Sequence, residues 1–169
     1  MGNSLLILGA GDLGQVVAEM AAGQYDRIAF LDDHPTEEKE EQYPIIGRLD
    51  ELEKVCGDFT HAIPAYGNPR LKDGIRERIK ACGLAMPRII HPSAIISPAA
   101  IIHDGVIIRE NAVISRKAEI GECVLVNMGV LIDHGCVIGA CSHLPMGMIV
   151  RNAVQIPDCS TFRPGEVLE

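Results

Sequence analysis

Histidines are the clearest candidates for acid–base chemistry in this chain. His134 lies in the segment 130–135, and His143 lies in the segment 141–145. An imidazole titrates near neutral pH, so either ring could accept a proton from an attacking amine or hydroxyl group. The other interpretation is a surface imidazole that is hydrogen-bonded to a neighbouring segment. The spacing of these residues alone does not choose between the two.

A glycine-rich turn near the N-terminus is the second candidate for chemistry. Gly9, Gly11 and Gly14 form the pattern G-x-G-x-x-G between a predicted strand and a predicted helix, and Asp32 and Asp33 follow about 20 residues later. Such a turn lets a phosphate approach the backbone N–H groups of a helix N-terminus, and an acid at that distance can bind a ribose hydroxyl. The alternative is a tight turn that binds no ligand.

The first 88 residues have the alternation of strands and helices that is typical of a small parallel α/β sheet. Charged residues between Glu37 and Gln42 predict a solvated loop. The predicted strands are Leu5–Leu8, Arg27–Leu31 and His61–Ile63, and the predicted helices are Gln15–Ala22, Leu49–Val55 and Pro69–Gly83. We therefore expect a Rossmann-like domain over residues 1–88.

From Ile90 onward every sixth residue is apolar, and this period matches neither a helix nor an isolated strand. It is the period of a hexapeptide β-helix, in which short strands wind around a triangular prism and the sixth residues point inward. The positions are Ile90, Ile96, Ile102, Ile108, Ile114, Ile120, Val126, Ile132, Ile138, Leu144, Val150, Ile156, Phe162 and Leu168. Buried sandwich strands are the alternative, but they would not keep one register over so long a stretch. Residues 89–169 are therefore predicted to form a parallel β-helix.

Composition excludes several classes of partner. The net charge of −8 argues against binding of nucleic acid or of an anionic membrane surface, since both need a basic face. The sequence shows no span long enough for a membrane helix. The six cysteines form no CxxC pair, so a reducing cytoplasm is expected and no disulfide scaffold. Cysteine, histidine and acidic residues lack the spacing of metal ligands, and no metal is predicted.

Taken in order, these motifs resemble the bacterial sugar O- and N-acyltransferases of the sialic-acid O-acetyltransferase and bacillosamine-pathway type. The resemblance covers nearly the whole chain. The matching stretches are Leu6–Gly11, Phe30–Asp33, Tyr66–Asn68, Ile90–Ala94, Val126–Asn127, Ile132–Gly139 and Ser142–His143.

The resemblance implies a fold and a function. It implies an N-terminal domain that binds a nucleotide-activated sugar, a left-handed β-helix that forms a homotrimer, and acetyl-CoA as the acyl donor. His134 would be the general base that deprotonates the sugar amine or hydroxyl, and His143 would lie near the thioester. The residues implied in substrate binding are Gly9, Gly11, Gly14, Asp32, Asp33, Gly67, Asn68 and Asn127.

The chain departs from the family pattern in three places. The family's turn carries a histidine where Asp12 and Leu13 stand. The base is followed in many members by an orienting glutamate, whereas Gly135 follows His134 and Asp133 is the residue that could substitute. The β-helix is also C-terminally short. These departures motivate a second hypothesis, a nucleotide-sugar-binding or assembly protein without a complete acetyl-CoA site. The glycine turn motivates a third, a nicotinamide-dependent enzyme.

Overall fold

The computed structural model describes residues 2–34 and 42–169. The predicted loop between Glu37 and Gln42 lies almost entirely outside these residues. The chain divides into two compact units, the first comprising Met1–Tyr66 with Gly74–Pro87 and the second comprising Gly67–Asp73 with Arg88–Glu169. None of the helices in the described part of the chain is long and apolar enough to cross a membrane.

The first unit is built on a parallel four-stranded sheet in the order β3-β2-β1-β4. Strand β1 is buried at every residue, because it lies between β2 and β4 in the middle of the sheet. The strands are β1 (Ser4–Leu8), β2 (Arg27–Leu31), β3 (Ile45–Gly47) and β4 (His61–Pro64), and the helices are α1 (Asp12–Ala21), α2 (Leu52–Val55) and α3 (Pro69–Ala81). The sequence pattern missed β3, which is only three residues long.

Two details of the predicted helices were wrong. Helix α1 begins at Asp12, directly after the glycine turn, and not at Gln15. In α3 the apolar pattern through Leu71 does not mark the buried face, because Leu71 is 43% exposed whereas Lys72 is 1% exposed. The buried face of α3 is instead formed by Lys72, Ile75 and Ile79.

The second unit contains a parallel β-helix of thirteen two-residue strands, and the predicted fold is confirmed. Ile89 pairs with Ile107, and Ile107 pairs with Leu125, so each coil takes 18 residues. The strands stack into three sheets in the orders β14-β11-β8-β5, β17-β15-β12-β9-β6 and β16-β13-β10-β7. They are β5 (Ile89–Ile90), β6 (Ile95–Ile96), β7 (Ile101–Ile102), β8 (Ile107–Ile108), β9 (Val113–Ile114), β10 (Glu119–Ile120), β11 (Leu125–Val126), β12 (Leu131–Ile132), β13 (Val137–Ile138), β14 (His143–Leu144), β15 (Ile149–Val150), β16 (Gln155–Ile156) and β17 (Val167–Leu168).

The interior of the prism contains most of the sixth residues together with the residue two positions before each of them. Ile108, Val126 and Leu144 are fully buried in this way, as are Val106 and Val124. Burial of each such aliphatic side chain stabilises the fold by about 1.5–3 kcal/mol. The first sixth residue is an exception to the prediction, because Ile90 is 38% exposed. It lies in the first coil, where β5 pairs with β8 alone.

The coils turn through one left-handed residue in every six. From Gly105 to Gly165, five glycines and six other residues occupy these positions with φ between 54° and 72°. At the corners their N–H groups bond to the coil below, for example from Cys141 to the Glu122 carbonyl at 2.8 Å. These bonds offset the strain that a left-handed conformation imposes on a residue with a side chain. The six non-glycine residues are Asn111, Lys117, Cys123, Cys141, Ala153 and Cys159.

Candidate functional site

The glycine turn has the geometry that a phosphate-binding turn requires. Gly9 adopts a φ of 109°, and a Cβ at Gly14 would collide with the carbonyl oxygen of Gly9. The first and third glycines therefore allow the strand to turn directly into helix α1. Gly11 caps that helix, and nothing lies within 4 Å of the position that its Cβ would occupy. The open position is thus at the helix N-terminus, where backbone N–H groups attract anions.

Asp32 is held against the glycine turn. One of its carboxylate oxygens accepts a 2.6 Å hydrogen bond from the Ala10 backbone, and the other accepts a 2.7 Å bond from the His34 backbone. Asp33 accepts a 3.0 Å bond from the Leu49 backbone. The two acids therefore shape the loops at the carboxyl end of β2. Carboxylate oxygens have further lone pairs, so these bonds still allow an acid to accept a ribose hydroxyl.

Tyr66 lies beside the glycine turn and interacts electrostatically with the two acids. The sequence analysis did not single it out as a site residue. Its ring lies 3.0 Å from the position of a Cβ on Gly9. Burial raises the pKa of the Tyr66 phenol, and the negative charges of Asp32 and Asp33 raise it further. The phenol is therefore a neutral hydrogen-bond donor at physiological pH. Its position directly before Gly67 and Asn68 was the available signal.

Gly67 and Asn68 directly precede helix α3. The side-chain oxygen of Asn68 accepts bonds of 3.1 and 3.2 Å from the Arg70 and Leu71 backbones, so Asn68 is the N-cap of the helix. A Cβ on Gly67 would lie 3.7 Å from the ring of His143. The structure thus brings together one predicted binding residue and one predicted catalytic histidine.

His143 is a half-buried residue of strand β14. Burial lowers its pKa, the charge of Lys72 lowers it further, and a hydrogen bond to the Gly67 backbone opposes both effects. Its Nε2 atom is shielded from solvent and has no hydrogen-bond partner among the described residues. The imidazole is therefore neutral at pH 7 and has one nitrogen available for a partner.

His134 has a different environment, in the turn that follows β12. Its side chain is 60% exposed, and its Nδ1 lies 2.8 Å from the carboxylate of Asp133. Hydrogen bonds from the His134 backbone and side chain lower the pKa of Asp133, so that carboxylate is ionised at neutral pH. An ionised acceptor at Nδ1 places the imidazole proton on that nitrogen and leaves Nε2 free to accept a proton.

The remaining predicted site residue, Asn127, lies after β11 and accepts a 2.8 Å bond from the Met128 backbone with its own side chain. Strand β11, which Asn127 follows, pairs with β14, which contains His143. His134 follows β12, which lies in another sheet. The two histidines therefore lie in different parts of the β-helix, His143 within a sheet and His134 in the turn between β12 and β13.

A groove of about 260 Å³ runs along the sheet that contains β12. It has an apolar wall that includes Leu131 and Ile149, and its polar residues are Ser115, Asp133 and Arg151. The groove therefore reaches the carboxylate that holds His134. Within residues 2–34 and 42–169, no group of three or more histidine, cysteine and acidic side chains could hold a metal ion.

Comparison with known proteins supports the resemblance drawn from the motifs. Residues 4–79 match the family model of the PglD N-terminal domain. No curated protein matches the chain at a significant level. The acetyltransferase domain of PglB from Neisseria gonorrhoeae FA1090, in complex with acetyl coenzyme A, is 28% identical with a TM-score of 0.71, over 100% of this chain and 92% of that chain.

Two further solved structures match over almost the whole chain. The PglB domain without that ligand is 29% identical with a TM-score of 0.71, covering 99% of this chain and 91% of the other. PerB from Caulobacter crescentus, in complex with CoA and GDP-perosamine, is 24% identical with a TM-score of 0.82, covering 99% and 89%. At that identity the PerB structure supports the fold alone.

The α/β sheet with its glycine turn and the hexapeptide β-helix define a two-part acyltransferase architecture. The predicted resemblance to hexapeptide-repeat sugar acyltransferases is confirmed. Within that group, the chain is similar to sugar N-acetyltransferases. The match to the PglD N-terminal domain model covers residues 4–79, which is less than half of the chain.

Proposed function

We propose that this chain is an acetyl-CoA-dependent N-acetyltransferase that acts on the amino group of a nucleotide-linked sugar. The observation that carries the proposal is the His134–Asp133 pair, which stands on a β-helix of the same fold as an acetyltransferase domain solved with acetyl coenzyme A. The chain covers 92% of that domain, which favours an enzyme over a binding relative without a donor site. The comparisons likewise favour a transferase over a nicotinamide-dependent enzyme.

The two parts of the chain have separate roles in this proposal. Residues 1–88 would hold the nucleotide, with phosphate at the open N-terminus of α1 beside Gly11 and with the ribose near Asp32 and Asp33. Residues 89–169 would form the catalytic β-helix. Gly9 and Gly14 shape the turn, while Gly67, Asn68 and Asn127 stay predicted binding residues.

Bound acetyl-CoA would supply the acetyl group as a thioester. The groove beside Asp133 fits such a donor, because it combines an apolar wall with the cation of Arg151. His134 would accept a proton at Nε2 from the sugar amine as the amine nitrogen bonds to the carbonyl carbon. Asp133 would hold the resulting imidazolium through Nδ1. His134 would then return the proton to the sulfur as the carbon–sulfur bond breaks.

Association of three copies is part of the proposal. The sheet that contains β12 presents an outward column of aliphatic side chains, and Ile95, Leu131 and Val167 in it are 66%, 43% and 49% exposed. A column of this kind on one flat face favours contact with another copy. None of the six cysteines forms a disulfide in the described residues, which is consistent with a cytoplasmic protein.

The test is acetyl transfer from acetyl-CoA to a panel of nucleotide-linked amino sugars, followed by release of free CoA thiol and by the mass of the sugar product. His134→Ala should lower kcat by roughly 10²- to 10⁴-fold. His91→Ala, which alters a partly exposed histidine in the first coil of the β-helix, should leave kcat unchanged. Undiminished turnover in His134→Ala would remove this residue from the mechanism.

A further inference from the structure

Lys72 is a buried lysine whose position the proposed mechanism has not yet used. It lies in the first turn of α3 and is 1% exposed, which is rare for lysine. Its Nζ donates a 3.3 Å hydrogen bond to the backbone carbonyl of Ser142, the residue directly before His143. Burial lowers the pKa of Lys72 to about 8, so its ammonium group is still charged at pH 7.

A column of three thiols lies near this ammonium group. Cys123, Cys141 and Cys159 occupy equivalent left-handed turns in successive coils, and each favours the charged form of Lys72. The thiol of Cys141 lies 3.7 Å from the Asp73 carboxylate, and the thiol of Cys159 lies 3.9 Å from the Pro69 carbonyl. The first turn of α3 is therefore attached to the coil corners on both sides of Lys72.

The same turn of chain reaches His143. A Cβ added to Gly67 would lie 3.7 Å from the imidazole ring, and the Lys72 charge disfavours protonation of that ring. Because Nε2 has no hydrogen-bond partner among the described residues, the nitrogen that bonds to the Gly67 backbone is Nδ1, which donates its N–H and so raises the pKa. Nε2 then carries a lone pair in a place shielded from solvent, where its partner has to be an N–H or O–H group.

We propose that Lys72 is a positioning residue for the transfer reaction. It attaches the segment Gly67–Asp73 to the β-helix and places its charge beside His143. The charge keeps Nε2 of His143 as a hydrogen-bond acceptor for a substrate N–H or O–H group. This inference rests on the proposed function. Besides Lys72, the ionisable groups of this segment are Arg70 and Asp73, and the adjoining corners contribute the three thiols of Cys123, Cys141 and Cys159.

The test compares Lys72→Met, which removes the charge at similar length, with Lys72→Arg, which keeps it. Lys80→Met is the matched control, because Lys80 is an exposed lysine of the same helix. The pKa of His143 is measured by NMR titration of its Cε1 proton, assigned with His143→Gln. We expect that pKa to rise in Lys72→Met and to stay unchanged in Lys72→Arg and Lys80→Met.

The pH profile of kcat/KM gives the second measurement. Activity that needs neutral His143 falls as pH drops through its pKa, so the acidic limb should move to higher pH in Lys72→Met and return in Lys72→Arg. An unchanged His143 pKa in folded Lys72→Met would overturn the inference. If that variant does not fold, a wild-type His143 pKa at or above 6.5 would overturn it as well. The titration needs no turnover, so an inactive wild-type protein would count against the proposed function alone.

Discussion

The two histidines of the β-helix are held in opposite ways. His134 is exposed in a turn, and its hydrogen-bond partner is the adjacent residue, Asp133. His143 is half-buried in a strand, and its surroundings include Lys72, whose hydrogen bond to Ser142 joins residues 70 positions apart in sequence. The comparison shows that one imidazole is oriented by local sequence and the other by long-range packing. Each arrangement predicts a different response to mutation.

The largest effect is expected in the stability of the packed region. The pKa of Lys72 is lowered from 10.5 to about 8, so between these values the unfolded chain binds a proton that the folded chain does not. The free energy of unfolding of the wild type should therefore rise with pH across this window, by about 3 kcal/mol in total. Lys72→Met should lack this rise.

Urea unfolding at intervals from pH 7.5 to pH 10.5 measures the effect. Subtracting the Lys72→Met curve removes the contributions of the other titratable groups, which the two proteins share. If the free energies of unfolding of the two proteins changed with pH in parallel, Lys72 would be solvated in the folded state. The long-range packing that distinguishes His143 from His134 would then be absent.

The next effect concerns the locally oriented histidine. Asp133→Ala removes the acceptor at Nδ1 of His134, so we expect kcat to fall by roughly 10- to 100-fold with little change in KM. The loss should stay below that of His134→Ala, because the imidazole itself remains. Steady-state kinetics at saturating acetyl-CoA measures it.

Asp104→Ala is the control for Asp133→Ala, because Asp104 is an exposed aspartate of the β-helix that does not line the groove beside Asp133. It should retain wild-type kcat. A similar loss in both variants would show that the loss of any surface carboxylate, and not the loss of the acceptor at His134, lowers kcat.

Gly135→Glu introduces the residue that many relatives carry after the base. Gly135 has a φ of 69° and open space around its Cβ position, so the substitution should lower stability by about 1 kcal/mol through backbone strain. Because Asp133 already bonds to Nδ1, kcat should change by less than about threefold. A tenfold gain in kcat would show that Asp133 orients His134 poorly. Thermal unfolding and steady-state kinetics provide both measurements.

Local sequence was sufficient for the β-helix and for His134. A period of six residues places apolar side chains inside a prism whatever else the chain contains, and Asp133 is adjacent to His134 in sequence. The glycine turn is predictable for the same reason, because Gly9 and Gly14 allow the tight backbone of a single strand-to-helix connection.

The environment of His143 could not be predicted in this way. The apolar pattern of α3 pointed to Leu71, and the buried residue is Lys72. Nothing in the sequence near residue 72 indicates that three cysteines, each one coil apart, lie near the Lys72 side chain. The spacing of Cys123, Cys141 and Cys159 by 18 residues was the available signal, but its meaning depends on the coil length that the structure establishes.

The smallest expected effect is that of Gly67→Ala, which separates a role of Gly67 in contacting His143 from a role in binding the substrate. A Cβ there would make an ordinary 3.7 Å contact with His143, so Gly67→Ala should change stability by less than about 0.5 kcal/mol and leave the pKa of His143 unaltered. If Gly67 acts only through its backbone bond to His143, kcat/KM should also stay near the wild-type value. A tenfold rise in KM for the nucleotide sugar, with the His143 pKa unchanged, would show that the substrate itself needs the space beside Gly67. That result would support its predicted role in binding.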